Sequence, residues 1–102
     1  MALGFGFSPS HPGGVIKDEL EERGISQRKF AESIGMGHSV LNEILNGRRP
    51  ITTTSALIFE AALDISADSL LKMQMKYNMH TAQTDNALAE RLKQIRRIAA
   101  VL

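Results

Sequence analysis

Apolar residues recur along this chain at steps of three and four, the spacing of one face of a helix, and they predict an all-α protein of six helices. Val15, Ile16 and Leu20 mark a first helix over about residues 14–23, closed by Gly24. Phe30, Ala31 and Ile34 form the stripe of a second. Ser26 opens it, because its hydroxyl can accept an orphan backbone N–H. Gly35, suited to a left-handed stop, ends it. Val40, Leu41, Ile44 and Leu45 carry a third helix up to Asn46-Gly47. Any of Thr52, Thr53 and Thr54 can cap a fourth that runs to Leu63, with Leu57, Ile58, Ala61 and Ala62 as its expected apolar stripe. Ser66 with Asp68 or Ser69 opens a fifth reaching about Met79, in which Leu70, Met73 and Tyr77 share a face. Met73, Met75 and Met79 at that spacing read as gap-filling core.

A polar interruption over residues 80–85 precedes a sixth helix at about 86–101. There Leu88, Leu92, Ile95, Ala99 and Leu102 alternate steps of four and three, a narrow seam near the heptad period. Two heptads make too short a coiled coil to stand alone. The seam therefore covers the domain, pairs with the same helix of a second chain, or holds a partner. Residues 1–13, rich in Gly, Pro and Ser, read as an irregular arm in which Phe5 and Phe7 are unusual. The expected organisation is that arm, a domain over 14–79 and an extension over 80–102.

At 102 residues the chain suits one small domain, and an aromatic content of 5% makes its core mostly aliphatic. Without cysteine there are no disulfides and no thiol chemistry. The N-terminus lacks the basic start and unbroken apolar run of a secretory signal. No apolar run approaches the ~20 residues that span a bilayer. A cytoplasmic protein is expected, with no membrane partner.

The net charge of +1 matters less than its distribution. Asp18, Glu19, Glu21 and Glu22 outweigh Lys17 and Arg23 in the first helix. Arg28, Lys29, Arg48 and Arg49 flank the second and third, and Arg91, Lys93, Arg96 and Arg97 lie near the C-terminus. A basic face opposite an acidic one suits phosphates on one side and a protein on the other. Enzyme chemistry finds no support. His11, His38 and His80 are far apart and lack metal-ligand spacing, and the glycines at 4, 6, 13 and 14 follow no strand and make no phosphate loop. The acidic residues of the first helix form a solvated face. No catalytic residue, metal, cofactor or small-molecule substrate is expected.

The chemistry is concentrated in Ser26–Pro50, SQRKFAESIGMGHSVLNEILNGRRP. Counted from Gln27, position 5 is the small Ala31, position 9 is Gly35, and positions 15 and 18 are Leu41 and Ile44. This spacing resembles the helix-turn-helix of the phage-repressor-like (Cro/C1, or XRE) DNA-binding family. The positions make physical sense. Ala31 lets two helices cross, Gly35 supplies the turn, and Leu41 and Ile44 anchor the second helix of the pair. The expected fold is a five-helix phage-repressor-like helix-turn-helix domain with an added C-terminal amphipathic helix.

In such a domain the second helix of the motif lies in a DNA major groove. His38, Ser39 and Asn42 are the expected base readers, because Asn pairs bidentately with adenine while Ser and His donate to several edges. Gln27 can bridge a phosphate and a base. Arg28, at a helix start, suits a phosphate. Asn46, Arg48 and Arg49, with Thr52 or Thr53, are expected to hold the next phosphates, contacts that position without choosing sequence. Glu43 can accept from a cytosine amino group, or simply stay solvated. One short helix reads too few base pairs, so a homodimer on double-stranded operator DNA is expected, with half-sites about 34 Å apart.

The flanks narrow the resemblance. His11-Pro12-Gly13 precedes the first helix, and Ile51-Thr52, Ala56-Leu57, Ser66, Leu71-Lys72-Met73-Gln74 and Tyr77 follow the motif. This combination is similar to the HigA-type antitoxins over about residues 11–79. Leu70 stands where many members carry tryptophan, an exchange within the core, and the basic tail after residue 80 is a second departure. The resemblance implies an antitoxin that suppresses a HigB toxin, a RelE-like mRNA-cleaving ribonuclease, and as a dimer represses its own operon. A stand-alone dimeric repressor of the same family, without a toxin partner, is the alternative.

Overall fold

The computed structural model describes residues 9–102, and every regular element among them is a helix. Of the expected arm residues 9–13 are described, the last of them, Gly13, already the first residue of α1; Phe5 and Phe7 lie outside the described residues. The order is α1 (Gly13–Arg23), α2 (Gln27–Ile34), α3 (His38–Leu45), α4 (Thr53–Leu63), α5 (Ala67–Gln83) and α6 (Asn86–Ala99). None of these helices is long and apolar enough to cross a membrane.

The core is assembled from α1 to α5 and the segments between them. Ile16 and Leu20 of α1, Phe30 and Ala31 of α2, and Leu41, Ile44 and Leu45 of α3 meet Ile51, Ala56, Phe59, Leu63 and Leu70. Phe30 and Phe59 stack with ring centres 6.3 Å apart and supply its aromatic centre. Cross-links fix the helices to one another. Arg23 donates to the Leu63 carbonyl at 2.8 Å, joining the ends of α1 and α4. Glu60 accepts from the Ala67 N–H at 2.9 Å and ties α4 to the start of α5. The local signals act as the sequence implies: the Ser26 hydroxyl accepts from the Lys29 N–H at 3.1 Å, and Gly35 closes α2 at φ 68°.

Three expectations fail, each for a definable reason. The buried face of α4 is Ser55, Ala56, Phe59 and Leu63, whereas Leu57 is 54% exposed and Ala61 and Ala62 are also outside. The segment ALIFEAAL is apolar nearly all round, so its period does not choose a face. Packing chooses it, through Phe59 against Phe30, and the Thr52–Ser55 capping box fixes where the helix starts. Secondly, α5 does not stop near Met79. Residues 80–83 are mostly polar but contain no helix breaker, and the break narrows to Thr84 and Asp85. Thr84 turns its hydroxyl back to the His80 and Thr81 carbonyls, while Asp85 accepts from the Ala87 and Leu88 N–H groups and starts α6. Thirdly, Met75 and Met79 are exposed, not core. The last buried residue on that helix, after Ala67 and Leu70, is Gln74, which accepts from the Ile51 N–H at 2.8 Å and donates to Asn78 at 2.9 Å.

Candidate nucleic-acid interface

Burial of Leu41, Ile44 and Leu45 orients α3, turning its other side outward. His38 and Ser39 are its first two residues and are exposed, and Asn42 follows one turn later, half-buried. Gln27 is the first residue of α2 and is half-buried beside Asn42; Arg28 next to it is exposed. The Asn42 amide nitrogen donates to Gln27 Oε1 at 3.2 Å.

The end of α3 brings further residues to the same place. Gly47 takes φ 75°, its N–H donates to the Ile44 carbonyl, and the Arg48 N–H donates to the Glu43 carbonyl at 2.8 Å. This glycine-stopped reversal folds the chain back over the helix it has just left. Arg48 Nη2 thereby reaches Asn42 Oδ1 at 3.3 Å. Asn46, the C-cap, donates to the Asn42 carbonyl at 2.8 Å, and Lys17 of α1 donates to Asn46 Oδ1 at 3.5 Å. Gln27, Asn42, Asn46 and Arg48 are thus one cluster.

The remaining candidates stand apart from it. Arg49 pairs with Glu43 at 2.7 Å, and both side chains are partly exposed, at 48% and 41%. Such a pair contributes little to stability and opens readily for a phosphate. Thr52 is the N-cap of α4, its hydroxyl accepting from the Ser55 N–H at 3.2 Å, and Thr53 is the exposed first residue of that helix.

Behind the loop that carries the arginines sits His11, whose structural part the spacing rules did not reveal. Its Nδ1 accepts from the Gly13 N–H at 2.9 Å, and its ring meets the edge of Tyr77 with centres 4.9 Å apart. Burial lowers the imidazole from its ordinary value, and the Arg49 backbone pulls weakly the other way. Gly13 lies so close to α3 that a β-carbon would collide with the Ile44 carbonyl. The His-Pro-Gly entry thus clips the start of α1 to α5 and to the loop after α3. Only the position of the tripeptide before a helix hinted at this; its partners are distant in sequence.

The C-terminal seam has a different setting. Leu88 is half-buried, but Leu92, Ile95 and Leu102 are 38%, 45% and 97% exposed, and Ala99 is exposed too. Helix α6 packs mainly on α5, and the seam beyond Leu88 is left exposed among the described residues.

The family model described as helix-turn-helix matches residues 16–70. Among its relatives, virulence-associated protein I of Dichelobacter nodosus is 33% identical over 76 residues, 74% of this chain and 70% of that protein. Two solved structures share the fold closely. An addiction module antidote protein of the HigA family from Coxiella burnetii superposes with a TM-score of 0.70 at 26% identity, over 89% of this chain and 95% of its own. Antitoxin HigA of Pseudomonas aeruginosa, solved with the higBA promoter, gives a TM-score of 0.69 at 30% identity, over 87% and 92%.

Proposed function

The chain belongs to the helix-turn-helix family of XRE type, and from that premise we propose that it is the antitoxin of a type II toxin–antitoxin pair. In this reading a dimer binds its operator and represses transcription, and the same protein neutralises a RelE-like, mRNA-cleaving HigB toxin in the cytoplasm. The observation that carries the DNA half is the outward side of α3, where His38, Ser39 and Asn42 stand clear of the core beside Gln27.

On DNA, His38, Ser39 and Asn42 read base edges in the major groove, and Gln27 joins them from the start of α2. Arg28, Asn46, Arg48, Arg49, Thr52 and Thr53 hold backbone phosphates on either side. Two such helices, about 34 Å apart in a dimer, read successive turns of one groove face. Support for the toxin half comes from the likeness to HigA antitoxins of both solved structures. The open apolar and basic faces of α6 offer surface for a second chain or for the toxin.

Co-expression with the product of the neighbouring short gene tests the whole reading. A stable complex that restores growth, and retention by the complex of DNA from upstream of the pair, is the expected result. Failure to form any complex, with DNA binding retained, would leave the stand-alone dimeric repressor as the function.

A further inference from the structure

Asn42 is the middle of a hydrogen-bonded chain of three side chains: Arg48 donates to its Oδ1 at 3.3 Å, and its Nδ2 donates to Gln27 Oε1 at 3.2 Å. Chemistry fixes the direction of this chain. A guanidinium has only donors, so the side of the Asn42 amide that meets Arg48 must be its oxygen. The Asn42 nitrogen then faces Gln27, which must answer with its own oxygen. The Gln27 amino group is left as the free end. Without Arg48, both amides could turn over together and present the opposite polarity at no cost in mutual hydrogen bonding.

We propose that Arg48 is a positioning residue for sequence recognition, which orients Asn42 and through it Gln27, so that Gln27 offers donors to a guanine acceptor edge. This inference rests on the DNA-reading function proposed above and goes beyond it. There, an arginine just after the recognition helix would be one more phosphate contact. Here its guanidinium is directed inward to a base-reading amide, and no carboxylate pairs with it among the described residues. Asn42 keeps a second lone pair and a second N–H, enough for a bidentate contact to adenine. Gln27 has its oxygen engaged and is biased towards guanine O6 and N7, which are both acceptors. The Gly47 reversal and the Asn46 cap hold Arg48 and the α3 terminus in place for this.

The two roles of Arg48 separate cleanly in binding measurements. The full-length protein is first used to enrich duplexes from a random pool, giving a preferred duplex and a scrambled control of equal length. Affinities for both are then measured across a salt series for wild type, Arg48→Met, Arg48→Lys, Asn42→Ala and the Arg48→Met/Asn42→Ala double variant. A positioning role predicts that Arg48→Met lowers the preferred-to-scrambled ratio roughly tenfold, the scale of one good base contact. It also predicts little further loss of that ratio in the double variant, loss of guanine preference on re-selection with Arg48→Met, and retention of the preference in Arg48→Lys, which still offers only donors. A simple phosphate contact predicts equal weakening on both duplexes, a salt slope smaller by about one, and additive effects; that result overturns the inference. If the wild type enriches no duplex at all, the DNA-reading function itself fails, an outcome distinct from the other two. Circular dichroism melts of each variant confirm that an exposed arginine has been removed from a folded domain.

Discussion

Helices α3 and α6 carry apolar stripes of the same helical period, and their fates are opposite. On α3, Leu41, Ile44 and Leu45 are 0–3% exposed, while on α6 Leu92 and Ile95 remain 38% and 45% exposed. The difference lies in what surrounds each stripe. α3 is laid down between α1 and α2, in a core that α4 and the first turn of α5 then close. α6 begins after that core is complete, and among the described residues it packs mainly on α5. A hydrophobic period thus says which face needs cover, and the rest of the chain decides whether cover exists. The faces left to solvent among the described residues are correspondingly inverted: on α3 it is the polar side, on α6 the apolar side.

The largest effect expected from breaking this comparison is on the α3 side. Leu41→Ala removes a fully buried side chain from the centre of the core and should cost about 2–5 kcal/mol in urea unfolding. DNA binding should fall only as far as the folded population falls. Next in size is Gly13→Ala. The added methyl has backbone, the Ile44 carbonyl, in its way, so α1 and α3 must separate. A loss of about 1–3 kcal/mol is expected, read as a lower melting temperature. A neutral result at Gly13 would mean that α1 sits more loosely on α3 than the core implies.

How much of this was legible in the residues follows the same division. Ser26, Ala31, Gly35, Leu41 and Ile44 act within one helix pair, so local spacing was enough to place the motif and its outward face. The buried side of α4 was not legible, because an apolar run without a period leaves the choice to Phe59 and Phe30. The end of α5 lies past the point that polar composition suggests, because the physical signal for the break is the carboxylate cap of Asp85. The link from Arg48 to Asn42 depends on the positive φ of Gly47, and a glycine after a helix gives the stop without saying where the next side chain lands. His11 was visible as a residue and invisible as a clip, since Tyr77 reaches it only through the fold.

That clip yields a smaller, pH-dependent effect. Burial lowers the His11 imidazole below its ordinary value of 6.5, so as pH falls the unfolded chain takes up the proton first. The contribution to stability is therefore present above that value and is lost as pH falls through the folded one. A proton on Nδ1 would also face the Gly13 N–H that now donates to it. Among the described residues the groups against His11 include Gly13, Gly47, the Arg49 backbone and Tyr77, and none of these offers a carboxylate to offset the charge. The urea midpoint of the wild type should drop more between about pH 7.5 and 5.5 than that of His11→Asn, which cannot titrate there. Parallel curves for the two proteins would remove His11 from the account.

The smallest expected change in stability is also the most discriminating, because it is made on α6. Ile95→Glu places a charge in the middle of the exposed seam. If its own chain leaves that seam uncovered, the unfolding free energy of the dilute monomer should move by no more than about 0.5 kcal/mol, the usual range for surface sites. Leu41→Ala, a milder chemical change, should cost several times as much. Association should respond in the other direction. If the seam joins two copies, sedimentation at increasing concentration should show the wild type dimerising and Ile95→Glu remaining monomeric, with operator affinity falling as the second recognition helix is lost. If the seam holds the toxin, the variant should still dimerise and bind DNA but fail to retain the neighbouring gene product. A concentration-independent loss of stability well above 1 kcal/mol would contradict both, since it would mean that Ile95 is packed against its own domain and that α6 and α3 do not differ after all.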